Sequence, residues 1–154
     1  MKALVVYDSV YGNTRTIAQA IGDALPGEVQ VLHVSQVNSD DLETIDLLVI
    51  GSPTHGALPT EAVLDLIEKV GPPAREGSRV ATFDTRLTWG FLERWGGFAA
   101  SKLADRLREK GWTLASAPEG FFVRGLKKGP LKRGETDRAA VWARGLVDSQ
   151  ARGE

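Results

Sequence analysis

Two hydrophobic rhythms run along this chain, and each change of rhythm marks an element. Ala3 to Tyr7 is an unbroken apolar run, the pattern of a strand buried on both faces. A polar, turn-prone segment follows, Ser9-Val10-Tyr11-Gly12-Asn13-Thr14. Ile17, Ala20, Ile21, Ala24 and Leu25 then recur at three- and four-residue spacing, which predicts a helix. Pro26-Gly27 breaks it. Val29, Val31 and Val34 predict a second strand over 28–34, nearer a sheet edge than the first. Asn38-Ser39-Asp40-Asp41 predicts a short helix or turn reaching about Ile45. The stretch 46–51 predicts a third strand, apolar on both faces. After the turn formers GSPTHGALPT (51–60), Thr60 is placed to cap a helix carrying Val63, Leu66, Ile67 and Val70 on one face, and Gly71-Pro72-Pro73 ends it. A fourth strand is predicted over 79–84, a long connection with Trp89, Phe91 and Trp95 over 85–97, and a helix over 98–110. The stretches 112–115 and 120–123 read as one interrupted edge strand, and a helix over 134–150 follows.

Strand and helix alternate with no repeat and no linker. The economical fold is one α/β domain over 1–154: a doubly wound, five-stranded parallel sheet in the order 2-1-3-4-5, covered by helices on both faces as a three-layer sandwich. Ligands of such sheets sit beyond the carboxyl ends of the strands, at the switch point between the first and third. That rule gathers the three most unusual stretches, 9–14, 51–60 and 85–97, around one crevice. The first is a strand-to-helix loop whose backbone N–H groups, with the Ser9, Asn13 and Thr14 side chains, suit a phosphate at a positive helix end, while Gly12 lets the backbone come close. A turn merely capped by Asn13 or Thr14 is the alternative. Neither the Walker loop nor the Gly-x-Gly-x-x-Gly fingerprint is present.

Composition narrows the field. The chain of 154 residues is 42% hydrophobic and 25% charged, with no cysteine, which excludes disulfides, thiolate catalysis and cysteine-ligated metals. No apolar run reaches the ~20 residues of a membrane span, and no basic-then-apolar leader precedes the first strand, so a cytoplasmic location is expected. The net charge of −1 hides an asymmetry: residues 1–70 carry 3 basic and 10 acidic side chains, and residues 71–154 carry 16 and 10. The basic segment Arg124, Lys127, Lys128, Lys132 and Arg133 lacks interleaved aromatics, so it reads as a solvated loop rather than a nucleic-acid surface. Neither His33 nor His55 lies in a nucleophile motif, and two histidines without cysteine give no metal-ligand pattern.

The first loop resembles the phosphate loop of the flavodoxin family, Ser/Thr-x-Thr-Gly-x-Thr, with Tyr11 in place of the middle hydroxyl residue. Gly51-Ser52-Pro53-Thr54-His55-Gly56 matches that family's Gly-x-Pro-Thr-aromatic loop, with His55 where many relatives have Trp. Phe83-Asp84-Thr85-Arg86, the helix start Gly97-Phe98-Ala99-Ala100-Ser101-Lys102-Leu103 and the tail around Phe122-Val123-Arg124-Gly125 resemble a group of short members. The resemblance implies FMN as cofactor. Its phosphate would be held by Ser9, Val10, Tyr11, Gly12, Asn13 and Thr14, and its ring flanked by Ser52, Pro53, Thr54, His55 and Gly56. Backbone groups of Thr85, Arg86 and Leu87 would stand at its polar edge, with Asp84 also in the cofactor-binding set, and Trp89 or Phe91 would stack outside with Trp95 behind them. A local mini-core for the aromatics, a solvent-facing His55 and a surface ion pair for Arg86 are the plainer alternatives. The resemblance further implies that a cation near the ring, His55 or Arg86, favours the reduced flavin and raises its potential. A free imidazole titrates near ~6.5, so His55 would make that potential depend on pH around neutrality.

The leading expectation is a flavodoxin-like electron carrier acting with a redox partner protein. A NAD(P)H:quinone-type oxidoreductase taking a small quinone-like substrate is the alternative, and a flavodoxin-shaped scaffold without FMN a reading of another class. A phosphoacceptor receiver domain is nearly excluded, because only Asp8 of its acidic set is in place.

Overall fold

The computed structural model describes residues 1–55, 57–87, 98–124 and 129–151, with residues 149–151 described by backbone alone. Six strands form one sheet: β1 (Lys2–Tyr7), β2 (Glu28–His33), β3 (Leu47–Pro53), β4 (Arg79–Leu87), β5 (Thr113–Leu114) and β6 (Glu119–Val123). The order is β2-β1-β3-β4, with β5 and then β6 along the far side of β4, and all pairs are parallel. β5 and β6 are therefore the two halves of the expected interrupted fifth strand. The break falls at Ser116 to Pro118, where proline has no N–H for the ladder. Helices α1 (Asn13–Ala24), α2 (Glu61–Lys69), α3 (Ala99–Glu109) and α4 (Glu135–Ala151) cover the sheet.

Strand periodicity divides the core. Ala3, Val5 and Tyr7 of β1 face Ile17, Ile21, Ala139, Ala143 and Leu146 of α1 and α4. Leu4 and Val6 face Val63, Ile67, Leu103 and Leu107 of α2 and α3. Both faces are apolar because both are covered, as parallel sheets require. Among the described residues no helix is long and apolar enough to cross a membrane.

β3 and β4 run further than the sequence rhythm predicts. β3 continues to Pro53 and β4 to Leu87, because Ser52 pairs with Asp84, Pro53 with Thr85, and β6 keeps pairing with β4 as far as Leu87 opposite Val123. Thr85 and Arg86 thus belong to a strand and not to a loop. Two capping expectations also change. Gly12, at φ 92°, is the N-cap of α1, so Asn13 and Thr14 are its first helical residues. Thr60 holds the N-cap position of α2, but its Oγ1 is buried with no partner among the described residues, and its N–H donates to Ser52 Oγ at 3.0 Å.

Gly51 is required by packing, since a Cβ there would lie 2.0 Å from Cζ of the fully buried Phe83. Phe83 in turn meets Phe121 and Trp142 edge-to-face, with ring centroids 6.0 and 6.3 Å away. Gly51→Ala is expected to destabilise the fold by about 1–3 kcal/mol in urea unfolding. A change of only a few tenths would mean that the Phe83 ring moves aside freely.

The start of α4 is latched to β6. Glu135 is buried, its Oε2 accepts the Phe122 N–H at 2.7 Å, and Arg138 donates to both its oxygens and to the Gly120 carbonyl. Burial raises the Glu135 carboxyl, but the hydrogen bonds from Arg138 and Phe122 outweigh it and hold the group below its ordinary value. A depressed carboxylate stabilises the fold above its unfolded value, and that contribution disappears as pH falls through the folded one. Glu135→Gln is therefore expected to lower stability at neutral pH by roughly 1–2 kcal/mol. The gap to the unsubstituted protein should close in acid, and a gap independent of pH would contradict the charge assignment.

Candidate functional site

At the carboxyl ends of β1, β3 and β4 the chain builds one open cleft. The first loop contributes Val10, Tyr11, Asn13 and Thr14, the second Pro53, Thr54 and His55, and β4 contributes Thr85, Arg86 and Leu87. The first two stretches singled out in the sequence thus converge with residues 85–87, the described start of the third. Val123 also lines the cleft, a residue that local pattern does not mark. Its position follows from the β6 register opposite Leu87. Gly56, Trp89 and Phe91 lie outside the described residues, as do Trp95, Lys127 and Lys128.

The first loop is shaped by short polar contacts. Asp8 Oδ1 accepts the Ser9 N–H at 2.8 Å, and Ser9 Oγ accepts the Gly12 N–H at 3.0 Å. Gly12 then turns into α1 in the left-handed region that only glycine adopts freely, and a Cβ there would meet nothing within 4 Å. The first intrahelical bond of α1 is from the Thr16 N–H to the Gly12 carbonyl at 3.0 Å. The amides of Asn13, Thr14 and Arg15 precede it and have no carbonyl acceptor within the helix. With open space in front of Gly12 and the positive end of a 12-residue helix behind, this corner suits an anion.

Two side chains named as phosphate donors have other partners here. Asn13 Nδ2 donates to the Gly129 carbonyl at 2.9 Å, tying the loop to the segment after β6. Thr14, 1% exposed, shares a 2.8 Å hydrogen bond with the Thr85 hydroxyl, which ties the loop to β4. Ser9 sits at the back of the loop. Asp8 is held on its other side by His33, with Nε2 3.2 Å from Oδ1; His33 Nδ1 accepts the Ser35 N–H at 3.1 Å, which assigns the ring proton to Nε2.

In the second loop the His55 N–H donates to the Leu58 carbonyl and the Leu58 N–H returns to His55, both at 2.9 Å, so a tight reversal presents the half-exposed imidazole to the cleft. Ala57 within it has φ 69°, a left-handed conformation held against its intrinsic preference. Ser52 is wholly buried and supports α2 from behind, with its hydroxyl donating to the Pro53 carbonyl at 2.9 Å.

The third corner is an ion pair. Asp84 is wholly buried, and its two oxygens accept Arg86 Nε at 2.7 Å and Nη2 at 2.8 Å. Oδ2 also accepts the Ala100 N–H at 3.0 Å, near the start of α3, and the Thr54 hydroxyl adds a further hydrogen bond. Thr54 Oγ1 in turn accepts the Ala99 N–H at 3.1 Å. Burial pushes the Asp84 carboxyl up from its ordinary value, against the pull of Arg86, the Ala100 N–H and Thr54. Asp84 and Ser52 therefore stand behind the cleft wall, and Thr54, Thr85 and Arg86 stand on it.

The sequence profile of the flavodoxin domain family matches residues 4–93, which take in the first two loops and β4. A diflavin flavoprotein of Nostoc sp. is 30% identical over 118 residues, 70% of this chain and 19% of that protein. A flavodoxin of Aquifex aeolicus is 38% identical over 61 residues, 37% of this chain and 33% of that one. The chain thus spans between a fifth and a third of the length of these relatives. A short-chain flavodoxin associated with a non-canonical PDU bacterial microcompartment superposes with a TM-score of 0.79 at 19% identity, over 97% of this chain and 99% of that one, a likeness of fold. With more than half its length matched by the family profile and its strands in the family's order, the chain belongs to the flavodoxin family.

Proposed function

We propose that this chain is a single FMN-binding unit that works as an electron carrier with a redox partner protein in the cytoplasm. FMN is the cofactor of the flavodoxin family, and when bound it supplies one- or two-electron chemistry at its ring. The observation that carries the reading is the convergence of the first two loops and the end of β4 on one cleft, closed by the Thr14–Thr85 hydroxyl bond.

The residues present fit the cofactor. The amides of Tyr11, Asn13 and Thr14, with Ser9, Val10 and Gly12 shaping the turn, provide an uncrowded anion corner for the phosphate. Thr14 and Asn13 act chiefly by fixing this loop against β4 and the Gly129 segment. Pro53, Thr54, His55 and Gly56 would flank one side of the ring, and Trp89 or Phe91 the other. Main-chain groups of Thr85, Arg86 and Leu87 would face its polar edge, with Ser52 and Asp84 supporting them from behind. The exposed side chains of Val10 and Tyr11 at the rim offer apolar surface where a partner could approach the cofactor.

An FMN titration of the purified apo-protein, followed by quenching of flavin fluorescence, is expected to show tight, saturable binding. Thr14→Ala removes the hydroxyl that ties the loop to β4 and leaves Thr85 Oγ1 unpaired, and it should weaken binding roughly tenfold. Absence of binding at roughly tens of micromolar FMN, well above the nanomolar-to-micromolar range of specific sites, would leave a flavodoxin-shaped scaffold and remove the redox function. In the loaded protein, His55→Phe is expected to flatten the dependence of midpoint potential on pH between about pH 5 and pH 8, where an imidazole changes charge. An unchanged curve would mean that His55 does not tune the potential.

A further inference from the structure

An arginine on a cofactor cleft ordinarily offers a full positive charge. Arg86 does not stand free. Its Nε and Nη2 make a fork-to-fork pair with the two oxygens of Asp84, the strongest arrangement open to these groups. The guanidinium lies over the Phe98 ring with Cζ 3.5 Å from the centroid. On β6, a Cβ at Gly120 would fall 2.2 Å from Cζ, so glycine is what lets the group seat there. Asp84 is itself held by the Ala100 N–H and the Thr54 hydroxyl. β4, β6, the start of α3 and the second loop together fix one charge pair whose arginine side chain is 15% exposed and whose aspartate is 0% exposed.

A cation and an anion at hydrogen-bond distance act on a third charge as a dipole, and opposite Coulomb terms of nearly equal size cancel at a ligand further away. We propose that Asp84 is a positioning residue that withholds the charge of Arg86 from the cleft, so that the extra negative charge of a reduced flavin meets a neutral pair and its midpoint potential stays below the value a free arginine would impose. This inference rests on the FMN reading above; of the two roles the sequence left open for Arg86, a cation acting on the flavin and an ion pair with a surface acid, it develops the ion pair, with a buried acid as the partner.

The test compares the unsubstituted protein with Asp84→Asn and Arg86→Gln, with folding followed by circular dichroism, oxidised-FMN affinity by titration and midpoint potential by spectroelectrochemistry at neutral pH. Asp84→Asn uncovers the cation and is expected to favour the reduced over the oxidised cofactor at least tenfold, ~59 mV for one electron. Arg86→Gln is expected to weaken both oxidation states alike and to hold their ratio within about threefold, because the Asp84 carboxyl, already pushed up by burial, takes a proton once its partner is gone. An unchanged potential in Asp84→Asn overturns the proposal, and so does a tenfold shift toward the oxidised form in Arg86→Gln. Should Asp84→Asn not fold, Arg86→Gln alone decides, since a cation already acting on the flavin requires the fall. A purely structural pair would alter affinity in both variants and potential in neither. Failure of the unsubstituted protein to bind FMN overturns the FMN reading together with this one, whereas binding with the opposite shifts overturns charge compensation alone.

Discussion

Everything at the cleft depends on the parallel pairing of β1 between β2 and β3. With β2 on one side and β3 on the other, the chain reverses its winding at β1, and the connections leaving β1 and β3 cross to opposite faces of the sheet. Among the described residues, the space beyond the carboxyl ends of these strands is bordered by the loops themselves. The register makes this quantitative. Tyr7 stands opposite Gly51, and Ser52 opposite Asp84, so Asp8, Pro53 and Thr85 emerge at nearly one level.

The upper ends of β3 and β4 are unusual for a buried parallel sheet because they are polar. Ser52, Thr54, Asp84 and Thr85 are all buried. Each of these side chains has a hydrogen-bond partner, and besides the Asp84–Arg86 pair within β4 and the Ser52 bond to Pro53 within β3 the partners lie on other elements: Ser52 meets the start of α2, Thr54 and Asp84 the start of α3, and Thr85 α1. Burying such groups unpaired would be destabilising, so the network fixes how the helices start relative to the strand ends. The cleft is thereby set by the same bonds that hold the starts of α2 and α3, and a change at Asp84 is felt both in the wall and in the helix behind it.

The charge asymmetry of the chain takes on a local meaning in this setting. Acidic groups at the cleft do not stand bare: Asp84 is paired with Arg86, and Asp8 is engaged by His33 and by the Ser9 N–H. The anion corner at α1 depends on backbone amides and a helix end, and among the described residues Arg86 is the one lysine or arginine lining the cleft. Recognition by amides favours a phosphate group held at a defined depth over a diffuse attraction for anions.

By itself the sequence determined the layers, the strand order and the first two loops. Those follow from local signals: the apolar run of β1, the helical spacing from Ile17 to Leu25, the Pro/Gly breaks, and glycine at position 12, where φ is positive. Tertiary structure alone decided what the site residues do. That Thr14 bonds Thr85, 71 positions away, that Asn13 reaches Gly129, that Thr85 and Arg86 lie within β4, and that Val123 lines the cleft all depend on strand register. Asp84 and Arg86 are near neighbours in sequence, yet their pairing depends on β6 supplying Gly120 and on Phe98 supplying a ring. Hydrophobic period reports which face of an element is buried, and turn residues report where the chain can bend. Neither carries information about which hydroxyl, amide or charge from a distant element will stand at hydrogen-bond distance once the sheet has closed.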